Sequence, residues 1–145
     1  RLIDSMDFLN VTALIGGARD ISVLSSDLLT SFGYKSFGKE SGTNYWAKNC
    51  TYSKKAQKAT DVSKKSSVLS FPSDGSYVKL TVFHKPVLKQ YINDITAIGY
   101  KKTDEYGSSS GNTFEVYTSS IYPQITISDE TGDNSDMPYN ITVEK

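Results

Sequence analysis

The hydrophobic positions of the chain include two helix-spaced runs that end in the same tripeptide, Gly-Tyr-Lys, at residues 33–35 and at residues 99–101. Glycine adopts the left-handed conformation at a helix C-terminus at little steric cost, and an extended segment commonly follows it. The pattern therefore predicts one helix over Asp20–Phe32 and a second over about Lys85–Ile98. Pro86 suits the first turn of the second helix, where no backbone N–H is needed.

After each helix, apolar and polar residues alternate in short runs that turn residues separate. This period of two predicts three strands in each half of the chain. The predicted strands are Tyr45–Tyr52, Leu69–Phe71, Tyr77–Phe83, Phe114–Ser119, Ile125–Ile127 and Tyr139–Val143. Because short turns join the strands within each half, we expect them to pair antiparallel.

The two halves, about residues 20–83 and 86–143, predict a tandem α-β-β-β repeat that forms one antiparallel sheet with two helices on one face. The fold class is α+β, and residues 1–145 are interpreted as a single domain. An N-terminal helix or tail, then a strand near Phe8–Leu14 and a turn at residues 16–17, are predicted to precede the repeat. This arrangement resembles the architecture of β-lactamase-inhibitor-type proteins, a resemblance of architecture that implies no function.

The alternation also predicts which side chains face the helices. With Tyr45, Ala47, Phe114 and Val116 on the inner face, their neighbours along each strand point outward. The predicted core is Leu28, Phe32, Leu80, Val82, Ile95, Ile98, Phe114, Val116, Ile141 and Val143. Aromatic residues edged by lysines on the outward face are typical of a recognition surface. The predicted partner-binding residues are Trp46, Lys48, Tyr77, Lys79 and Tyr117.

The two halves differ in two loops, and function concentrates in loops on a rigid scaffold. The first half has an insertion near Ser53–Lys65 with five lysines, predicted to be a flexible, solvated loop. The second half has an acidic turn, Asp129–Asp136. Calcium binding is an alternative for this turn, but Gly132 comes fourth where a calcium loop has glycine sixth, so a solvated hairpin loop is the preferred interpretation.

The composition of the chain excludes several kinds of functional site. Cys50 is the only cysteine and His84 the only histidine, which leaves no internal disulfide, no cysteine-based metal site and no histidine cluster. No cofactor motif or catalytic constellation is present. The net charge of +0 does not favour nucleic acid as a partner, and no apolar run approaches the about 20 residues of a membrane span.

These observations favour a non-enzymatic binding domain that engages a protein partner through the outward sheet face and the two loops. A carbohydrate-binding module, with Trp46 and the tyrosines stacking on sugar rings, is the alternative. A small hydrolase is a third interpretation. The many Tyr, Ser, Thr and Asn residues are typical of secreted, periplasmic or cell-surface bacterial domains, and a chain that begins at Arg1 is interpreted as a mature or trimmed form.

Overall fold

The computed structural model describes residues 8–109, 111–132 and 136–145. The helices are α1 (Val11–Arg19), α2 (Ser26–Ser31) and α3 (Lys85–Ala97), with a 3-10 turn at Ile21–Val23. The strands are β1 (Lys35–Glu40), β2 (Thr43–Lys48), β3 (Thr51–Ser53), β4 (Lys58–Thr60), β5 (Ser67–Pro72), β6 (Tyr77–Val82), β7 (Lys101–Ser109), β8 (Asn112–Thr118), β9 (Ile125–Asp129) and β10 (Tyr139–Glu144).

Over the described residues, one antiparallel sheet contains eight strands in the order β1-β2-β5-β6-β10-β9-β8-β7. Strands of the first half of the chain form one side of the sheet and strands of the second half form the other, joined where β6 pairs with β10. The helices pack on one face, because their buried residues share a single hydrophobic core with β5, β6, β9 and β10. The predicted α+β class with helices on one face is confirmed, whereas superposition of the two halves stays a prediction.

Each half of the sheet contains four strands rather than the predicted three. The additional strands are the edge strands β1 and β7, each of which follows a Gly-Tyr pair. Their sequences are mostly polar, and each pairs with its neighbour through an irregular register, between Ser36 and Lys39 and between Lys102 and Tyr106. An edge strand with one neighbour and a bulge carries little period-two signal, which explains why the sequence did not show it.

Both predicted Gly-Tyr-Lys helix ends are confirmed. Gly33 has φ 89° and Gly99 has φ 105°, in the region that favours glycine. The N–H of Tyr34 donates to the carbonyl of Leu29 at 3.0 Å, and the N–H of Tyr100 donates to the carbonyl of Ile95 at the same distance. These are the 6→1 hydrogen bonds of a Schellman motif. At both places the chain passes from a helix into an edge strand in the same way.

The prediction of a strand near Phe8–Leu14 and a turn at Gly16-Gly17 is wrong, because helix α1 begins at Val11, within the predicted strand, and continues through both glycines. The helix or tail predicted before that strand falls on residues 1–7, outside the described residues. Asn10 caps this helix, with its Oδ1 accepting from the N–H of Ala13 at 2.9 Å. A Cβ on Gly17 would lie 2.5 Å from two carbons of Leu24. The glycine therefore permits close packing of α1 against Leu24. A turn was predicted here because glycine has a low helix propensity, and that propensity is outweighed by the packing.

The predicted first helix, Asp20–Phe32, consists of the 3-10 turn and the short helix α2. Asp20 caps the 3-10 turn, since its carboxylate accepts from the N–H of Ser22 at 3.1 Å. Ser25 then caps α2 by accepting from the N–H of Leu28 at 3.1 Å. A second N-cap within the apolar stripe divides the run that the sequence suggested was continuous. The second predicted helix is confirmed as α3.

Five of the ten predicted core residues are fully buried between helices and sheet. They are Leu80, Val82, Ile95, Ile141 and Val143. Leu28 and Phe32 are half-buried against this core, and the prediction for Ile98 is wrong because its side chain is 39% exposed beyond the end of α3. The remaining two, Phe114 and Val116, lie on the other face of the sheet.

Candidate binding face

The sheet face opposite the helices, called the outer face below, does not carry Trp46 or Tyr117. Trp46 is the register partner of Leu69, and Tyr117 is the register partner of Ile125. Register partners in a sheet share a face, and Leu69, Ile125 and Tyr117 all belong to the helix-side core, against which Trp46 packs. The prediction that these two aromatic residues point away from the helices is wrong.

Lys48 was also predicted on the outer face and also lies on the helix side. It follows Trp46 by two residues on β2 and pairs with Ser67. Its ammonium lies 5.7 Å from the ring centroid of Phe8, a member of the helix-side core. The distance permits a cation–π contact.

The physical reason for these errors is that β2 and β8 carry apolar residues on both faces. The sequence argument took Tyr45, Ala47, Phe114 and Val116 as the inner set, but their register places them on the outer face. Ala47 is nevertheless buried, because another element covers it there, while Phe114 is 38% exposed. Alternation fixes which residues share a face but not which face the helices cover.

Tyr77 and Lys79 lie on the outer face, as predicted. They occupy the central strand β6, where Tyr77 pairs with Glu144 and Lys79 pairs with Thr142 of β10. A shallow depression of about 460 Å³ opens here, lined by Ser76, Tyr77, Lys79, Thr142, Glu144 and Lys145. The sequence analysis missed Thr142 and Glu144, because only the pairing of β6 with β10 brings them beside the other two.

The lysine-rich insertion forms a hairpin, so the prediction of a flexible, solvated loop is wrong. Strands β3 and β4 pair as a hairpin, and Tyr52 and Ala59 of this hairpin are buried against Ala47 and Val68 on the outer face. The ring of Tyr52 stacks on that of Tyr45. Burial raises the pKa of Tyr52 to about 12, and the nearby Tyr45 is a smaller cause in the same direction. The hairpin therefore forms a second, smaller core on the outer face.

The acidic turn is held to the outer face by a buried asparagine. Asn140 Nδ2 donates to Glu130 at 2.5 Å and to the carbonyl of Met137 at 3.1 Å, while its Oδ1 accepts from Thr81 at 2.6 Å. Met137 packs against the core beneath the β3–β4 hairpin. Calcium binding was the alternative for this turn, and residues 133–135 of the turn lie outside the described residues. That alternative stays a prediction.

Both divergent loops lie at the same end of the sheet. The hairpin leaves β2 and enters β5 where Lys48 pairs with Ser67, and the acidic turn joins β9 to β10 where Asp129 pairs with Tyr139. Val82 pairs with both Ser67 and Tyr139, which places these strand ends in one row. One end of the outer face is therefore covered by the loops, and the depression at Tyr77 lies toward the other end.

The hydrolase interpretation named no site, and Cys50 and His84 are the single thiol and the single imidazole of the chain. Burial raises the pKa of the Cys50 thiol, which opposes thiolate formation, and its Sγ donates to the carbonyl of Ser67 at 3.8 Å. His84 precedes α3 and makes no side-chain capping bond. Among the described residues, no group of three or more His, Cys, Asp or Glu side chains is placed to hold a metal ion.

Within the described part of the chain, no helix is long and apolar enough to cross a membrane. No protein-family model, no curated protein and no solved structure matches the chain significantly.

Proposed function

We propose that this chain is a non-enzymatic binding domain that engages a protein partner through the open part of its outer face, around Tyr77 and Lys79. The observation that carries the proposal is the depression at the β6–β10 pairing, where a phenol, an ammonium, a hydroxyl and a carboxylate converge. The residues lie on the two central strands of an eight-stranded sheet. Sites on such rigid elements are held more accurately than sites on loops.

The side chains around the depression suit a protein surface. The register places Ser70, Lys79 and Thr142 side by side across three strands, and Glu144 is exposed beside Tyr77. A tyrosine supplies contact area, while a lysine and a glutamate of opposite charge give orientation to a polar partner. The covered end of the face, with the hairpin and the acidic turn, borders this surface and supplies further partner contacts.

The carbohydrate alternative has less support. Sugar binding by stacking needs exposed aromatic platforms, and both Trp46 and Tyr117 are directed to the helix-side core. We also propose a secreted, periplasmic or cell-surface location for the protein, supported by its composition of many Tyr, Ser, Thr and Asn residues and a single Cys.

Site-specific photo-crosslinking in cells that naturally produce the protein tests the proposal. Benzoylphenylalanine replaces Tyr77 on the outer face in one variant and the exposed Lys89 on α3 in the control. We expect a discrete protein adduct from position 77 and none from position 89. Equal labelling from both positions, or no adduct from position 77, would contradict the proposal, and glycan-array binding that Tyr77→Ala removes would favour the carbohydrate alternative.

A further inference from the structure

Lys79 is the only charged residue in the row of outer-face side chains that crosses the centre of the sheet. The register aligns one residue from each of six neighbouring strands in this row. They are Tyr45, Ser70, Lys79, Thr142, Thr126 and Val116. Ser70 and Thr142 flank Lys79 on the two adjacent strands, and Tyr77 lies two residues before it on the same face. The ammonium of Lys79 therefore stands among hydroxyl groups.

The donors of this group are not used within the described part of the protein. The side chains of Lys79, Tyr77, Ser70 and Thr142 make no hydrogen bond or ion pair with another described residue. Glu144, the carboxylate that also lines the depression, accepts from Gln124 Nε2 at 3.3 Å. An ammonium and several hydroxyls without a protein acceptor are the donors that an anion needs.

The chemistry of the depression fits a carboxylate better than a phosphate. At Lys79 and Thr142 the backbone is paired on both sides within the sheet, so its N–H groups are not free for a ligand. Phosphate sites commonly use such N–H groups or the paired donors of arginine, and the described residues that line the depression include no arginine. A phosphate would also bring about two negative charges beside Glu144, whereas a carboxylate brings one.

The basic surroundings extend from the central row toward the β3–β4 hairpin. Residues 51–66 contain five lysines and one acidic residue, for a net charge of +4. Tyr45 of the central row stacks on Tyr52, which anchors the hairpin, so the hairpin lysines are presented by an ordered element next to the row. Lys55 and Lys58 are exposed there, and neither forms an ion pair with another described residue.

The acidic turn between β9 and β10 gives this charge pattern a direction. Glu130 and Asp136 belong to that turn, which is held to the outer face by Asn140. A ligand with several negative charges is attracted by the hairpin and repelled by the turn. The favoured path for such a ligand therefore runs from Lys79 toward the hairpin.

We propose that the depression at Lys79 binds a glutamate or aspartate side chain of the partner protein, within an acidic segment that continues toward Lys55 and Lys58 of the hairpin. The inference rests on the proposed function, because it names the chemistry of the partner at the same surface. Lys79 donates to the carboxylate, and the hydroxyl groups beside it supply further donors. The hairpin lysines attract the neighbouring carboxylates of the segment. A sulfated or phosphorylated polymer is the competing occupant.

Fluorescence anisotropy with a labelled acidic peptide tests the inference. The probe is a short peptide in which glutamate alternates with serine, so that its carboxylates share one side when it is extended. A matched probe has glutamine in place of glutamate. We expect the purified chain to bind the glutamate probe and not the glutamine probe. Binding should weaken as ionic strength rises from about 0.1 M to about 1 M, because the Debye length shortens from about 10 Å to about 3 Å.

Single charge removals locate the site. Lys79→Gln should weaken binding of the glutamate probe at least about fivefold, because it removes the central ion pair. Lys79→Arg keeps the charge and should retain most of the affinity. Removing the hairpin charges with Lys55→Gln and Lys58→Gln together should also weaken binding. Lys89→Gln removes the same charge from an exposed position on α3 and, as the control, should leave the affinity unchanged. Circular dichroism checks that every variant is folded.

The inference is overturned if Lys79→Gln binds the glutamate probe as tightly as Lys89→Gln does, or if both probes bind equally. Heparin or polyphosphate that binds more tightly than the glutamate probe, and loses affinity in Lys79→Gln, would overturn it in favour of the competing polymer. If the glutamate probe does not bind while position 77 still yields a protein adduct, the carboxylate site is wrong and the proposed function stands. Absence of any adduct at position 77 overturns the proposed function.

Discussion

The rings of Tyr45 and Tyr52 lie 4.6 Å apart, centroid to centroid, and 15° from parallel. Tyr45 belongs to the sheet and Tyr52 to the hairpin that covers it, so this stack joins the inserted element to the outer face. Stacked aromatic pairs contribute about 0.5–1.5 kcal/mol beyond the burial of their area. The stack therefore holds the lysine-rich insertion in place.

Truncation at Tyr52 should release the hairpin. Tyr52→Ala removes the stacked ring and most of the buried area of the second core, and we expect a loss of stability of about 3 kcal/mol. Hydrogen exchange of the amides in β3 and β4 should accelerate more than that of β6. Lys55→Ala, at an exposed position of the same hairpin, is the matched control. Unchanged exchange in β3 and β4 would show that the stack does not anchor the hairpin.

The adjacent glycines of α1 should respond oppositely to alanine. A Cβ at Gly17 would lie 2.5 Å from Leu24, whose side chain is itself buried, and overpacking of this kind costs about 1–3 kcal/mol. A Cβ at Gly16 would meet Val23 at 3.3 Å, and Val23 is 41% exposed and free to move. Because alanine improves helix propensity by up to about 1 kcal/mol, Gly16→Ala should be neutral or stabilising. The free energy of unfolding of both variants can be measured by urea denaturation. Equal changes for Gly16→Ala and Gly17→Ala would contradict the close packing of Gly17 against Leu24.

Two apolar residues of α2 and its C-terminus should differ in their contribution to stability. Leu29 is fully buried, whereas Phe32 is half-buried at the edge of the same core. Leu29→Ala should cost about 2–5 kcal/mol. Phe32→Ala should cost less than the value of about 3–5 kcal/mol that full burial would give, because part of the ring is already exposed. Chemical denaturation of both variants measures the order, and a larger loss at Phe32 would contradict it.

Stability should fall at alkaline pH through buried tyrosines. Burial raises the pKa of Tyr34 to about 12, while its hydroxyl exchanges a hydrogen bond with Ser67 at 2.6 Å. The folded state thus favours the neutral phenol. The corresponding stabilisation is complete below the unfolded pKa of about 10, is lost as pH rises through the folded pKa, and amounts to about 2–3 kcal/mol.

Tyr34→Phe separates this effect from general alkaline instability. The variant lacks the hydrogen bond to Ser67 and should lose about 1 kcal/mol at neutral pH. It should also show a shallower loss of stability above pH about 10, since one ionisable phenol is gone. The slope should not vanish, because Tyr91 is buried as well and burial raises its pKa. Urea midpoints across this pH range test the prediction, and parallel curves for both proteins would refute it.

The sequence by itself determined the helix ends and the central strands, because these depend on residues that are close together in the chain. The glycines at positions 33 and 99 predicted both helix ends, since few other residues adopt positive φ at such low cost. The alternation in β5, β6, β9 and β10 predicted strands that the structure confirms. These strands lie near the centre of the sheet, where one apolar face per strand gives a clear period of two.

Tertiary structure alone decided which face of the sheet is covered. Alternation grouped Trp46 with Lys48 and separated them from Tyr45 and Ala47, but the helices pack on the side of Trp46, and the β3–β4 hairpin buries Ala47 from the other side. A period-two pattern is unchanged when the two faces are exchanged, so a strand with apolar residues on both faces does not encode its orientation. Contacts between residues distant in the chain, such as Glu144 beside Tyr77, form the candidate site. No local pattern contains them, because they exist only once β6 and β10 have paired.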